Sequence, residues 1–220
     1  MDWQVWLAYF AASWVIAISP GSGAVLSMAH GLAYGVKDTR FTVMGLQLGL
    51  TVILLIAGVG VGALLLASAT AFLVVKVLGV AYLIWLGLKQ WRTPIEGHTS
   101  PERAMPMRPS AAADRVVPTP RERMTTGFLT NVTNPKGIVF MVAVLPQFLD
   151  PNRSLGLQLL VLLLTTLFTD TIVMHGYAFL ASRTQRWLAT ARARRAQNRV
   201  FGGVLVAMGT SLLLVKRAAG

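Results

Sequence analysis

Six long apolar stretches dominate the sequence, and each can cross a lipid bilayer as a helix. A hydrocarbon core of about 30 Å takes about 20 helical residues to cross. Only 13% of the residues are charged, against about 25% in a typical soluble domain, so lipid is the expected solvent. The sequence therefore predicts an all-α integral membrane protein with six transmembrane helices. These predicted spans, numbered one to six, are residues 3–27, 42–67, 70–90, 125–149, 155–181 and 200–217.

A polar segment at 92–124 divides the six spans into two halves. It holds six of the ten prolines together with mixed charges, which is typical of a flexible linker. We predict a three-helix half over 1–91, a flexible cytoplasmic linker over 92–124 and a second three-helix half over 125–220. Because each half has an odd number of spans, a repeat of the halves would be inverted in the membrane. We predict such an inverted repeat, which two short internal matches support weakly, 76–79 with 199–202 and 45–48 with 156–159.

The basic residues report the orientation of the chain. The net charge is +12, and 15 of the 20 Lys and Arg residues fall in the connections after spans one, three and five. The positive-inside rule places these connections in the cytoplasm, and therefore both termini on the outer side. No RNA- or DNA-binding motif accompanies the charge, so we expect no nucleic-acid partner. The arginine-rich stretch 183–199 instead favours contact with anionic membrane lipids.

Spans one and four each contain a proline flanked by glycine and polar residues. Pro20 lies in the segment 19–23, and Pro135 lies in the segment 131–137. Proline removes a backbone donor and frees a carbonyl four residues earlier, which lipid cannot satisfy. Interruptions at corresponding positions of two halves favour a transport site near the membrane midplane. A packing kink at each proline is the alternative.

Two charged side chains, Lys136 and Asp170, are expected near the centre of the membrane. A charge at that depth costs at least a few kcal/mol and should face the interior of the helix bundle. One interpretation is a structural ion pair that joins spans four and five. The other is that the two groups bind the carboxylate and ammonium of a zwitterion, or that Asp170 carries a coupling proton. His175 is a second candidate for proton coupling, although a lone histidine is more often a hydrogen-bonded interior residue.

No enzyme signature accompanies these residues. The sequence has no G-x-S-x-G, no P-loop and no H-E-x-x-H motif. The absence of cysteine and the three scattered histidines argue against thiol chemistry and a metal site, so we predict neither enzyme activity nor a cofactor. The predicted substrate-binding residues are Ser19, Pro20, Gly21, Ser22, Gly23, Gln47, Asn131, Asn134, Pro135, Lys136 and Asp170.

The motifs at these positions resemble the LysE/RhtB family of amino-acid exporters. The resemblance is carried by the stretches 19–24 and 131–136, and by Lys76 with the stretch 79–87, and it extends over nearly the whole chain except 93–120. It implies efflux of small neutral amino acids (homoserine, homoserine lactone, threonine or similar) across a bacterial inner membrane to the periplasm, driven by the proton motive force. The implied partners are the amino acid, protons and lipids, and a homodimer is compatible with the sequence. A passive channel for small polar solutes and a non-transporting membrane scaffold are the alternatives.

Overall fold

The computed structural model describes residues 1–92, 117–150 and 152–183, together with the isolated positions 199, 203, 206 and 210. All regular secondary structure in these parts of the chain is helical, as predicted. Most of the predicted linker and of span six lies outside the described residues. The helices are α1 (Trp3–Ile18), α2 (Ser22–Ala67), α3 (Ala69–Arg92), α4 (Pro120–Val132), α5 (Pro135–Val144) and α6 (Leu155–Arg183), with a 3₁₀ turn over Leu145–Phe148.

Both predicted proline breaks are present as interruptions of the helices. α1 ends at Ile18 and α2 begins at Ser22, while α4 ends at Val132 and α5 begins at Pro135. The residues that precede the two prolines, Ser19 and Asn134, both have extended backbone angles, because a following proline disfavours the helical conformation. At the second break the chain bends by 52°.

Helix α2 joins the inner part of span one to span two. Gly35 in this helix is the one glycine with a positive φ among the described residues. Its φ of 78° marks a kink between the arm 22–34 and the long segment 36–67. A φ in this range favours glycine, which has no Cβ to clash. The hydroxyl of Thr39 donates to the Gly35 carbonyl oxygen at 2.8 Å. The connection between spans one and two is thus helical except at this kink.

Helix α4 begins at Pro120, before the predicted start of span four at residue 125. Its first turn is a capping box in which the Thr119 hydroxyl accepts from the Glu122 amide at 3.2 Å. In return the Glu122 carboxylate accepts from the Thr119 amide at 2.7 Å. Proline at the first helical position completes a strong start signal. Residues at the end of the predicted linker therefore form the first turn of α4.

Among the described residues, two helices are long and apolar enough to cross a bilayer by themselves, namely Ser22–Gly60 within α2 and the whole of α6. The bent pair formed by α4 and the segment Pro135–Phe148 passes the same test when it is counted as one span. Large apolar side chains on the outer faces, such as Ile56, Leu157 and Phe168, are more than half exposed. Such a surface fits lipid rather than water.

Glycines let α2 pack closely against α4 on one side and α6 on the other. A Cβ at Gly45 would overlap the carbonyl oxygen of Met124, and a Cβ at Gly127 would overlap that of Thr42. At the interface with α6, a Cβ at Gly31 would lie 2.5 Å from the Ala178 carbonyl oxygen. Small residues at such crossings allow van der Waals contact between helix backbones. This packing brings the two breaks and the centre of α6 together.

Candidate functional site

A cavity of about 70 Å³ lies where the two helix breaks face α6. One water molecule needs roughly 10–15 Å³ by this measure, so the cavity has room for a small polar molecule or a few waters. Its walls come from α1, α2, α4, α5 and α6 and from residues of both breaks. The cavity is therefore shared by the two halves of the chain.

The cavity brings together residues that are far apart in sequence but were predicted as one site. The predicted residues that line it are Ser19, Gly21, Gly23, Asn131, Asn134, Lys136 and Asp170. The remaining predicted binding residues, Pro20, Ser22, Gln47 and Pro135, are not part of its wall. Ser22 donates to the Thr130 carbonyl oxygen at 3.5 Å, and Gln47 acts on Asp170, as described below.

The end of α1 shows how a break buried in the membrane is satisfied. The carbonyl oxygen of Ile18 accepts from the Tyr177 hydroxyl on α6 at 2.5 Å. The carbonyl oxygen of Ser19 accepts from Lys136 Nζ at 2.6 Å. Free carbonyls at a helix end are costly in hydrocarbon unless protein groups bind them. Side chains from the second half of the chain thus stabilise the break in the first half.

Two helix N-termini face the cavity with amide groups available. At α5, the Lys136 amide donates to Asn134 Oδ1 at 3.1 Å and the Ile138 amide to the Asn134 carbonyl oxygen at 3.1 Å. Within the described chain, no acceptor takes the amide of Gly137, which lines the cavity. A helix N-terminus carries a positive partial charge and attracts anions.

The N-terminus of α2 differs from that of α5, because within the described residues no side chain accepts from its first amides. Gly21 precedes the helix and has no side chain to bind its first amides. Gly23 and Ala24 both line the cavity, and no described group accepts from the amides of these two residues. A Cβ at Gly21 would lie 3.8 Å from Lys136 Nζ. The two N-termini and the lysine therefore form one electropositive side of the cavity.

Ser19 also lines the cavity, and its hydroxyl has no hydrogen-bond partner among the described residues. Ser19 is 3% exposed, and its Oγ atom has no hydrogen bond to any described group. Buried polar side chains in proteins are nearly always hydrogen-bonded, to protein, water or ligand. An unpartnered hydroxyl on a cavity wall fits a site that receives a polar ligand.

Asp170 supplies the negative charge of the cavity. Its Oδ2 atom accepts from Gln47 Nε2 at 2.7 Å. No ion pair within 4.0 Å joins Asp170 to Lys136 in the part of the chain that the structure describes. The structural ion pair considered from the sequence is thus not formed. Each charge has a neutral hydrogen-bond partner, and both face the same cavity.

His175, the second candidate for proton coupling, is not part of the cavity wall. Its Nδ1 atom donates to the Thr171 carbonyl oxygen on its own helix at 2.9 Å. The ring is half-buried and lies beyond Asp170 along α6.

Three polar lining residues, Ser13, Thr166 and Thr169, were not predicted from the sequence. The spacing of Thr166, Thr169 and Asp170 places them on one face of α6, and this pattern could have identified the two threonines. Ser13 stands alone in an apolar run, and nothing in the sequence distinguishes it from an ordinary membrane serine.

The chain was compared with known proteins. A family model described as LysE type translocator matches residues 14–216. An uncharacterized membrane protein of Vibrio cholerae is 39% identical over 218 residues, which cover 98% of this chain and 100% of the relative. No solved structure matches the chain.

Two further relatives have names that state an activity. A homoserine/homoserine lactone efflux protein of Salmonella typhi is 36% identical over 221 residues, or 99% of this chain and 100% of the relative. A leucine efflux protein of Enterobacter sp. is 26% identical over 186 residues, or 84% and 82%. The family match spans most of the chain, and these relatives include membrane exporters of amino acids. The chain therefore belongs to the LysE family of membrane translocators.

Proposed function

We propose that the protein exports small neutral amino acids, such as homoserine, homoserine lactone or threonine, across the bacterial inner membrane, driven by the proton motive force. The observation that carries this proposal is the cavity between the two breaks, which has Lys136 and two helix N-termini on its wall together with Asp170. A zwitterion needs both signs of charge within one small site. The relatives named for homoserine and leucine efflux support an amino acid as cargo.

In this proposal the substrate carboxylate binds the electropositive side of the cavity. The free amide of Gly137 and those at the start of α2 donate to its oxygens, and Lys136 adds a full charge. Broken helices in membrane transporters hold anionic substrate groups in this manner. Ser19 and Asn134 add polar contacts from the two breaks.

Asp170 binds the substrate ammonium or carries the coupling proton. Its remaining carboxylate oxygen has no partner among the described groups, so it is available to either. The Gln47 amide donates to the other oxygen at 2.7 Å and stabilises the charged form, since a donor favours a carboxylate. Gln47 thus acts through Asp170 rather than on the substrate.

Six spans arranged as an inverted repeat, with both termini in the periplasm, would allow alternating access to this cavity. Both halves contribute to its wall, so rocking one half against the other would open it to one side of the membrane at a time. The substrate would enter from the cytoplasm and leave to the periplasm.

The first prediction concerns Asp170→Asn. This change keeps the shape and the acceptor for Gln47 but removes the charge, so we expect export to fall roughly 10- to 100-fold, the value of a hydrogen bond to a charged group. Efflux of radiolabelled homoserine, threonine and leucine from preloaded vesicles, with and without a proton gradient, measures it. Asp2→Asn is the matched control, because Asp2 is 64% exposed and an exposed ion pair contributes little.

The same assay separates the rival functions. An efflux rate that an uncoupler does not change, at a fixed substrate gradient, would indicate a passive channel. Flux no greater than in vesicles without the protein would favour a non-transporting scaffold. Unchanged flux after neutralisation of both Asp170 and Lys136 would leave the charged cavity without a role. Wild-type export by Asp170→Asn, at equal protein level, would remove Asp170 from the mechanism.

A further inference from the structure

Three hydroxyl groups on the wall of the cavity have no role in the proposed function. Ser13 belongs to α1, and Thr166 and Thr169 belong to α6. All are buried, with exposures of 1%, 3% and 0%. Because Thr166 lies one helical turn before Asp170 and Thr169 directly precedes it, the two threonines and the carboxylate share one face of α6, and Ser13 lines the same cavity from α1.

Each of these hydroxyls donates its hydrogen bond to a carbonyl oxygen of its own helix. The acceptors are carbonyl oxygens three or four residues earlier, at 2.8 Å for Ser13 and Thr166 and at 3.1 Å for both bonds of Thr169. The Tyr9 hydroxyl therefore donates to Thr166 Oγ1, at 2.6 Å. A hydroxyl has one proton and two lone pairs. These side chains can therefore offer the cavity only hydrogen-bond acceptors.

The cavity thus separates donors from acceptors. Lys136, the Gly137 amide and the Asn134 side-chain amide nitrogen provide donors at the breaks, and within the described residues no acceptor takes the last two. Acceptors are concentrated on α1 and α6, where one carboxylate oxygen of Asp170 has no partner among the described residues. Serine and threonine often bond back to their own helix in membrane proteins, but here three such groups line one cavity together with the half-buried Asp170.

We propose that Ser13, Thr166 and Thr169 complete an ammonium subsite with Asp170 that selects primary amines. A primary ammonium has three N–H donors, and this wall offers a carboxylate and several hydroxyl oxygens to receive them. An N-methyl group removes one donor and places a carbon against an acceptor, which leaves a buried oxygen unpaired. The inference rests on the proposed function, because the electropositive breaks orient the zwitterion.

Equilibrium binding tests the subsite without requiring transport. Radiolabelled L-homoserine is bound to the purified full-length protein and displaced by unlabelled L-homoserine or by N-methyl-L-homoserine. We expect the N-methyl compound to compete at least about ten-fold more weakly, since each charge-assisted hydrogen bond contributes about that factor. Thr169→Val should weaken homoserine binding about ten-fold and reduce the discrimination, whereas Thr169→Ser should restore both.

A matched control is available on α2. The Thr51 hydroxyl donates to the Gln47 carbonyl oxygen at 2.8 Å, in the same manner as the α6 threonines, but Thr51 is not part of the cavity wall. Thr51→Val should therefore bind like the wild type. If Thr169→Val does not fold, Ser13→Ala removes another acceptor from the cavity wall. It should likewise weaken homoserine binding and reduce the discrimination.

The outcomes distinguish this inference from the proposed function. Equal competition by the N-methyl compound, or wild-type binding by folded Thr169→Val and Ser13→Ala, would overturn the subsite alone. Selective binding in a protein that exports nothing would overturn the proposed function and support the subsite. A wild-type protein that binds none of homoserine, threonine and leucine would overturn both.

Discussion

Lys136 occupies a position where a structural and a functional role coincide. Its Nζ atom donates to the Ser19 carbonyl oxygen at 2.6 Å, which ties α5 to the end of α1 and uses one of three ammonium protons. Among the described residues no group accepts the other two protons, and Lys136 lines the cavity. A lysine that only satisfied the break would affect every substrate alike, whereas one that also binds a carboxylate would affect only substrates that have one.

Lys136→Gln should therefore separate homoserine from homoserine lactone, since the lactone keeps the amine but has no carboxylate. We expect the KM for homoserine export to rise about ten-fold or more, because a charge-assisted hydrogen bond is lost. The KM for the lactone should change by less than about three-fold. Parallel efflux assays on the two labelled compounds measure the difference.

Lys136→Arg is the control for charge at this position, although its planar head group is not equivalent to an ammonium. It should retain more homoserine export than Lys136→Gln. An equal loss for homoserine and the lactone in Lys136→Gln would contradict the carboxylate contact and would leave the bond to Ser19 as the role of this residue.

At the scale of the helices, the position of α4 depends on how closely α2 approaches it. A Cβ at Gly127 would overlap the Thr42 carbonyl oxygen and lie 3.0 Å from the Leu46 amide nitrogen. These neighbours are backbone atoms of α2, so no side chain can move aside. The same interface holds Asn131, whose Nδ2 atom donates to the Leu46 carbonyl oxygen at 2.7 Å. The width of this interface therefore sets one wall of the cavity.

Gly127→Ala should force α2 and α4 apart and lower stability by about 1–3 kcal/mol, as overpacking does elsewhere. Thermal unfolding of the detergent-purified protein, followed by size-exclusion chromatography, measures the loss. Gly176→Ala is the matched control in α6, because no atom of the described residues lies within 4 Å of a Cβ built there and alanine is the better helix former. Equal stability of both variants would contradict the close packing.

The sequence predicted the two helix breaks because Pro20 and Pro135 disrupt the backbone hydrogen bonds of the helices in which they lie. It also indicated that Asp170 and Lys136 share a depth, since depth follows from position in a span. It did not indicate that Gln47 binds Asp170 or that Lys136 binds Ser19. These contacts depend on how helices rotate and pack, which the weak periodicity of membrane helices does not determine.

At the scale of the whole molecule, the described residues form charged contacts near both ends of α6, and the cavity lies between these ends. Along α6, the part before the cavity contacts α1, where Trp6 Nε1 donates to Thr165 Oγ1 at 3.1 Å. The part after the cavity contacts the arm 22–34 of α2, through Gly31 and Ala178. The two ends of this helix therefore identify the two sides of the protein.

We call the side at the N-terminal end of α6 the first side and the side at its C-terminal end the second side. Arg153 lies on the first side, where it forms ion pairs with Asp2 at 2.7 Å and with Asp150 at 3.2 Å. Arg123 marks the second side and is 6% exposed. It donates to the Asp38 carbonyl oxygen at 3.3 Å and lies 4.9 Å from the centre of the Tyr34 ring. Such a buried cation fits the side rich in basic residues, which the positive-inside rule assigns to the cytoplasm.

This orientation is testable because the chain has no cysteine, so a single introduced thiol reports its own location. Asn152 and Lys37 are both exposed and lie on the first and the second side. Asn152→Cys should react with a membrane-impermeant maleimide in intact cells, whereas Lys37→Cys should react only after the inner membrane is disrupted. The reverse pattern would place the termini in the cytoplasm. In that case Arg153 and its two ion pairs would lie on the cytoplasmic side of the membrane.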